Sequence, residues 1–256
     1  MLAFWPDVVG PLLETLAPKS IVEIGSESGK TTRRLVELAR AIGAVVHAVD
    51  PAPLFDSEAW VKEAGGALCM HRTTSLDALP RIERLDAVLI DGDHNWYTVH
   101  AELCLIEQLS RERGQQLPLI LLHDIAWPYG RRDLYYDPDA IPAEYRQTWA
   151  RRGISPTSSE LVAQGGFNAH LCNAVREGGP KNGVLTAIED YLKETREVIE
   201  LVRIPAVFGL GMLLPQPLAE ARPDVAQRVR VWAPAEIEKF IDRLETARIA
   251  MLTGAR

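Results

Sequence analysis

Apolar residues along the chain form two kinds of segment, and the two kinds alternate. Short continuous apolar runs, which are typical of β-strands buried on both faces, occur at 20–26, 45–49, 67–72, 85–90 and 117–122. Segments whose apolar residues recur every three or four positions predict helices and occur at 7–17, 30–42, 56–64 and 95–112. This alternation favours an α/β fold with a mostly parallel sheet.

The alternation stops at the segment 125–180. Prolines and paired glycines interrupt every regular pattern there. Connections of this length in a compact domain are usually lids or binding loops. We therefore expect one domain over residues 1–256 that carries an inserted substrate lid at 125–180.

The chain after the insertion returns to regular patterns. A helix is predicted at 182–193, and a short turn joins apolar strands at 198–204 and 208–214 as an antiparallel pair. Residues 216–232 resemble a linker. The segment 233–252 predicts a C-terminal helix with one apolar face, which either packs on the core or mediates a homo-oligomer.

The first strand ends in a glycine turn that opens a helix, with the sequence Glu-Ile-Gly-Ser-Glu-Ser-Gly-Lys-Thr at 23–31. A dinucleotide loop needs glycine where this chain has Glu23. A phosphate-binding P-loop needs four residues between its glycines, and only three separate Gly25 from Gly29. Glu27 in the turn would also repel a triphosphate. What remains is the pattern E-x-G-x-x-x-G.

That pattern resembles motif I of the class I S-adenosylmethionine-dependent methyltransferases. The resemblance implies a Rossmann-like methyltransferase fold: a mostly parallel seven-stranded sheet with an antiparallel last strand, here with a long insertion after strand five. It also implies that the loop wraps the methionyl end of S-adenosylmethionine. Glu23, Gly25, Ser26 and Gly29 are the cofactor-binding residues that follow from it.

Two further positions match the same cofactor. Asp50 ends the second strand 25 residues after Gly25, where an acidic side chain can accept hydrogen bonds from both ribose hydroxyls. Ser75 lies in the segment after strand three where the family contacts adenine. Serine there also caps helices, so both roles stay open for Ser75.

Ionisable side chains follow strands four and five at the point where each strand ends. Strand four ends in Asp91, Asp93 and His94, and strand five ends in His123 and Asp124. The carboxyl ends of parallel strands meet at one edge of the sheet, where chemistry collects in open α/β folds. We expect these side chains to lie close together.

This cluster resembles the branch of the family that contains the macrolide-sugar O-methyltransferases. The resemblance implies that Asp91 and Asp124 bind magnesium, that Asp91 also borders the cofactor, and that His94 is the general base. The branch has a carboxylate at the position of His123. An imidazole ligand suits manganese, iron or zinc better than magnesium, so the identity of the divalent metal stays open.

Aromatic and basic residues of the insertion are candidate substrate contacts. We select Trp127, Tyr129, Arg131 and Tyr135, which follow strand five most closely. The arginines of this segment are matched one for one by acids. A solvated loop and an anion-binding role therefore both remain open.

The composition indicates the class of ligand and the cellular compartment. A formal net charge of −7 argues against a nucleic-acid binder and favours a small-molecule substrate. The three cysteines, Cys69, Cys104 and Cys172, have neither disulfide nor metal-ligand spacing and suit a reduced cytoplasm. No signal segment or membrane span is expected, so membrane attachment is not predicted.

The hypothesis that follows is a cytoplasmic S-adenosylmethionine-dependent O-methyltransferase that acts on a hydroxyl of a sugar or natural-product intermediate, with metal assistance. One alternative is a metal-independent N- or carboxylate methyltransferase in which the cluster only positions the substrate. An alternative of another class is a non-catalytic cofactor-binding scaffold that docks through 125–180 and the last helix.

Overall fold

A computed structural model describes residues 1–254 of the chain. Its ten strands are β1 Ser20–Ile24, β2 Val45–Val49, β3 Leu68–His71, β4 Ala87–Ile90, β5 Leu119–His123, β6 Leu134–Tyr135, β7 Trp149–Arg151, β8 Cys172–Ala174, β9 Ile199–Ile204 and β10 Leu210–Pro215. Its α-helices are α1 Gly10–Leu16, α2 Lys30–Ile42, α3 Ser57–Ala64, α4 Ser75–Ala78, α5 Trp96–Glu112, α6 Val184–Glu194, α7 Gln216–Ala221, α8 Pro223–Arg230 and α9 Ala235–Thr253.

Seven strands form the central sheet in the order β3-β2-β1-β4-β5-β10-β9. The first five are parallel, and β10 runs antiparallel to both β5 and β9. The apolar runs form the inner strands because helices cover both faces, and two hydrophobic clusters lie on opposite sides of the sheet. The predicted fold class, a Rossmann-like methyltransferase sheet, is confirmed.

The inserted segment contains a second, three-stranded antiparallel sheet in the order β6-β8-β7. One of its contacts with the main body is made by Asp133, which is fully buried. One oxygen of Asp133 accepts hydrogen bonds from the backbone amides of Trp96 (2.7 Å) and Gly183 (2.6 Å), at the starts of α5 and α6. Its other oxygen accepts from the hydroxyl of Tyr135. The carboxylate of Asp133 therefore joins the insertion to two helix N-termini, beside the backbone hydrogen bonds from Val184 to Tyr129 and from Leu185 to Gly130.

The prediction of a linker at 216–232 is wrong. The helices α7 and α8 occupy most of it, and Val225, Ala226 and Val229 of α8 are buried in the core. The guanidinium of Arg222 donates to the carbonyl oxygens of Leu16 (2.9 Å) and Thr15. Prolines that suggest breaks in the sequence instead stand in the first turns of the two helices, where a missing amide hydrogen costs nothing.

No helix within residues 1–254 is both long enough and apolar enough to cross a membrane.

Candidate active site

The glycine loop between β1 and α2 contains three residues with a positive φ, Gly25, Glu27 and Gly29. Gly25 has a φ of 88°, and a Cβ there would overlap the carbonyl oxygen of Asp91. Gly29 has a φ of 75°, and a Cβ there would lie 2.7 Å from the ring of Trp60. Both positions therefore need glycine, since side chains cost energy in this conformation and would also clash. The loop comes into direct contact with the end of β4.

Asp50 holds the same loop. Its Oδ2 accepts hydrogen bonds from the amides of Ser26 (3.0 Å) and Glu27 (2.8 Å), and its Oδ1 accepts from the amide of Ala52 (2.8 Å). A carboxylate offers about four acceptor positions, so one stays available for a ribose hydroxyl. The structure thus gives Asp50 a second task, ordering the glycine turn, which the sequence did not indicate.

Glu23 is a buried carboxyl group directly beneath the loop. It is 2% exposed, and its Oε2 accepts from the hydroxyl of Thr32 at 2.6 Å and from that of Ser26 at 3.4 Å. Its Oε1 is buried without a hydrogen-bond partner. Burial raises the pKa of Glu23 to about 8, although the Thr32 hydrogen bond opposes the shift. An unpartnered buried oxygen beside a glycine cradle fits a ligand with a cationic amino group, as the methionyl end of S-adenosylmethionine has.

Ser75 has an internal partner. It is the first residue of α4, and its hydroxyl donates to Oε1 of Glu102 at 2.5 Å. Glu102 is fully buried on α5, and burial raises its pKa to about 8. Thr74 is the N-cap of α4 and accepts from the Asp77 amide. The side chain of Ser75 therefore points into the protein, and its backbone is what remains for adenine.

The structure brings Asp91, His94, His123 and Asp124 together. Nδ1 of His123 lies 3.1 Å from Oδ1 of Asp91 and 2.8 Å from Oδ2 of Asp124. Nε2 of His94 lies 2.9 Å from Oδ2 of Asp124 and 3.9 Å from Oδ1 of Asp91. The contact of His94 with Asp124 is out of line for a hydrogen bond, and both nitrogens of its buried ring lack a partner.

The opposite charges of this cluster shift all four pKa values. Burial lowers the pKa of His94, but attraction to Asp124 outweighs it and raises the pKa to about 10. Burial also lowers the pKa of His123, but its hydrogen bond to Asp124 raises it to about 9. Burial raises the pKa values of Asp91 and Asp124, whereas the two imidazoles bring both well below the usual range. Two imidazolium groups thus balance two carboxylates at neutral pH.

A divalent cation fits three of these residues. One ligand atom each from Asp91, His123 and Asp124 lies within 4.8 Å of the others. Nε2 of His123 faces the carbonyl oxygen of Val207 at 3.0 Å, an outer contact of the kind that orients metal-binding imidazoles. Nδ1 faces both carboxylates, so a proton and a metal ion would compete for one position. The α-amino group of Met1 also lies 2.8 Å from Oδ2 of Asp91.

The expected substrate residues separate into two groups. Tyr129 lies beside His94, with ring centroids 5.6 Å apart, and Trp127 packs against Phe167. Arg131 instead forms a two-pronged salt bridge with Glu189 of α6. Tyr135 is buried and hydrogen-bonded to Asp133, so neither its ring nor the Arg131 guanidinium is free for a ligand.

Tyr136 is a site residue that sequence reasoning did not select. It is 61% exposed, and its ring stands edge-on to that of His94, with centroids 6.1 Å apart. Tyr135 ends β6 and is buried together with Leu134, whereas Tyr136 follows the strand and is exposed. No local signal in the sequence distinguishes the two tyrosines.

A comparison with known protein families covers the segment that carries this cluster. Residues 22–125 match the family model described as a methyltransferase domain. No curated protein matches the chain. The match spans the glycine loop, Asp50 and the strand ends that carry the cluster. Together with the strand order and the loop, the match identifies residues 22–125 as a methyltransferase domain.

Two solved structures illustrate the likeness in fold. The SAH-bound methyltransferase PaMTH1 of Podospora anserina is 14% identical, with 80% of this chain and 74% of that chain covered and a TM-score of 0.47. The 1,6-didemethyltoxoflavin-N1-methyltransferase of Burkholderia thailandensis is 15% identical, with 80% and 75% covered and a TM-score of 0.46.

Proposed function

We propose that this methyltransferase transfers the methyl group of S-adenosylmethionine to a hydroxyl of a small metabolite, such as a sugar or a natural-product intermediate, with the help of a divalent cation. The observation that carries the proposal is the cluster of Asp91, His94, His123 and Asp124 in direct contact with the glycine loop through Gly25. It combines a cation-binding set with a base, which a hydroxyl acceptor requires because it is a poor nucleophile at neutral pH.

The cofactor would lie across the glycine loop. Asp50 would accept from the ribose, while Glu23 and Ser26 face the methionyl end. S-adenosylmethionine supplies an electrophilic methyl group, and the transfer is an in-line displacement. The protein therefore has to align the acceptor oxygen with that methyl group and receive the proton of the acceptor.

Asp91, His123 and Asp124 would hold the cation, which would lower the pKa of an acceptor hydroxyl bound to it. Two carboxylates are typical of magnesium sites, which is why magnesium is the first cation to test. The imidazole of His123 extends the choice to manganese, iron and zinc.

His94 is the proposed general base. Attraction to Asp124 keeps a proton on this imidazole up to about pH 10, so it cannot accept another while the carboxylates carry full charge. If a bound cation neutralised the charges of Asp91 and Asp124, the attraction that raises the pKa of His94 would be lost. The ring then has two nitrogens without hydrogen-bond partners, one of which can take the acceptor proton.

Aromatic rings of the insertion would line the side of the active site where the methyl acceptor binds. Tyr129 and Tyr136 flank His94, and Trp127 lies nearby on the same segment. In this proposal residues 125–180 serve as the substrate lid of a single domain over 1–256.

The free cysteines suit the reducing cytoplasm. The helix at 233–252 keeps several large apolar side chains exposed, among them Phe240 and Leu244, which suits a homo-oligomer contact.

A second candidate follows from the charge balance of the cluster. Two imidazolium groups already neutralise Asp91 and Asp124 without a cation. A metal-independent methyltransferase with an N or carboxylate acceptor could use this ion-pair network to position its substrate.

The test measures formation of S-adenosylhomocysteine from a panel of sugars, phenols, amines and carboxylic acids, before and after chelation and with magnesium or manganese restored. We expect turnover of hydroxyl acceptors that chelation abolishes and the cation restores. Full turnover under chelation would favour the second candidate.

Site variants test the assigned roles. We expect Asp50→Ala to weaken cofactor binding in calorimetry. His94→Ala should retain binding and reduce turnover by about 10²–10⁴-fold, the usual contribution of a general base. Asp91→Ala should retain binding and lose turnover, because it removes a ligand of the proposed cation. His100→Ala, a histidine of α5 that pairs with Glu194 away from the cluster, is the matched control. Unchanged turnover in both cluster variants would contradict the assigned roles.

A further inference from the structure

A second group of metal-ligand side chains lies at the other end of the sheet. His47 on β2 stands opposite Cys69 on β3 in the strand register, and His71 is two residues further along β3. Residues two apart on a strand point to the same face, so all three side chains share one side of the sheet. One ligand atom of each lies within 4.8 Å of the others.

The two imidazoles of this group approach closely. Nδ1 of His47 is 3.1 Å from Nε2 of His71. Two nitrogens bound at 2.0–2.1 Å to one tetrahedral zinc ion are separated by about 3.3 Å, so the spacing is close to that of a shared metal ion. A hydrogen bond between one protonated and one unprotonated nitrogen gives a similar distance, and such a bond would require nothing of Cys69.

The surroundings leave the side chains of His47, Cys69 and His71 accessible to an ion from solvent. Each is half-buried, and β3 is the edge strand, which gives an ion a path from solvent. Cys69 is a free thiol. Within residues 1–254 neither His47 nor His71 forms a salt bridge with a carboxylate. Strand β1 separates this face from β4, which carries Asp91, so the two groups are distinct.

We propose that His47, Cys69 and His71 bind a soft divalent cation such as zinc, independently of the acidic cluster. Two imidazoles and one thiolate are a ligand set that zinc prefers and that magnesium avoids. Three protein ligands leave the fourth tetrahedral position to water. Formation of the site releases the thiol proton of Cys69 to solvent, because the thiolate is the form that binds metal.

One nearby charge opposes the cation. Arg81, the last residue of the 3₁₀ turn Leu79–Arg81 after α4, is close enough to act on the ring of His71. The negative charge of the Cys69 thiolate offsets it, which makes the cysteine indispensable to the site. Replacing Arg81 by glutamine should consequently tighten binding.

The test uses the full chain in the Asp91→Asn/Asp124→Asn background, where the acidic cluster can no longer compete for metal. Cobalt(II) is titrated as a coloured substitute for zinc, and the thiolate-to-cobalt charge-transfer absorption is recorded. Zinc affinity is then measured by competition against the bound cobalt. We expect one equivalent of cobalt to give this absorption and zinc to remove it.

Single substitutions test which residues bind the metal ion, and a folding measurement accompanies each of them. Cys69→Ser should abolish the absorption and weaken zinc binding at least tenfold, and His47→Gln should weaken it comparably. Arg81→Gln should strengthen it. Cys104→Ser is the matched control, since Cys104 lies near His100 and Glu194 on α5 and α6. Circular dichroism confirms folding of each variant.

The outcomes decide the proposal without reference to methyl transfer. Absorption that is lost with Cys69→Ser and kept with Cys104→Ser supports it. Absence of the absorption in the parent protein overturns the proposal and leaves a histidine–histidine hydrogen bond. Loss with Cys104→Ser instead of Cys69→Ser also overturns it.

Discussion

The substitution Glu23→Gln tests whether the carboxyl group beneath the cofactor loop is held protonated by the fold. Glu23 is 2% exposed and has one oxygen without a hydrogen-bond partner. Glutamine has nearly the same shape but cannot ionise. Any pH dependence of stability that Glu23 causes should therefore disappear in the variant.

The magnitude follows from the pKa of Glu23, which burial raises from 4.5 to about 8. Below pH 4.5 the group is protonated in both the folded and the unfolded chain. Between 4.5 and 8 the unfolded chain releases a proton that the folded chain keeps, so the free energy of unfolding falls as pH rises, by about 1.4 kcal/mol per pH unit. Across two pH units the loss amounts to about 3 kcal/mol. Above the folded pKa the dependence ends.

The assay is urea unfolding of wild type and Glu23→Gln at several pH values between 4.5 and 8. Wild-type stability minus variant stability should decline steadily over that range, because other titrating groups cancel in the difference. Glu102→Gln is the matched control. Glu102 is equally buried with a pKa raised to about 8, but it lies on α5 away from the loop.

Both substitutions should remove a decline of the free energy of unfolding with rising pH. Only Glu23→Gln should also change the affinity for S-adenosylmethionine. The cationic methionyl end favours an ionised Glu23, so binding to wild type should release a proton that the variant does not release. A stability difference that is constant with pH would refute the protonated state of Glu23.

Two further substitutions test the contacts that shape the site. Gly25→Ala places a methyl group against the carbonyl oxygen of Asp91 in the left-handed region, and we expect it to cost more than about 2 kcal/mol in urea unfolding and to abolish cofactor binding. Gly43→Ala, with a φ of 70° but open space around it, should cost only about 1 kcal/mol, and equal losses would disprove the clash. Asp133→Asn removes the negative charge at two helix N-termini and replaces the oxygen that accepts from Tyr135 by an amino group, so we expect a loss of about 2 kcal/mol and faster hydrogen exchange at Trp96 and Gly183. Asp139→Asn, at an exposed position of the same insertion, is its control, and equal exchange in both would show that Asp133 does not anchor the segment.

The sheet and the cluster could be predicted from the sequence because both depend on strong, simple patterns. Continuous apolar runs marked the parallel strands, and the rule that strand ends share an edge placed Asp91 beside His123 and Asp124. The glycine spacing identified the loop, since the overlap of a Cβ at Gly25 with strand four leaves no alternative residue there.

Other features could not be predicted because they depend on tertiary partners. Nothing local shows that Arg131 pairs with Glu189, 58 residues away, or that Tyr135 turns inward to Asp133 while Tyr136 faces His94. The prolines of 216–232 gave the same signal for a helix start as for a linker. The proximity of Cys69 and His71 to His47 was not predicted either, because His47 lies on a neighbouring strand and a helix separates it from them in the sequence.

The position of Asp133 has a consequence for the proposed function. Because its carboxylate accepts hydrogen bonds at the starts of both α5 and α6, the second sheet cannot move away as a hinged unit without exposing two helix ends at once. In the proposed reaction an acceptor would therefore enter at the edge of the insertion around Tyr136, whose ring is exposed. Selectivity for acceptor size would then depend on the residues around Tyr136 rather than on the segment that Asp133 holds in place.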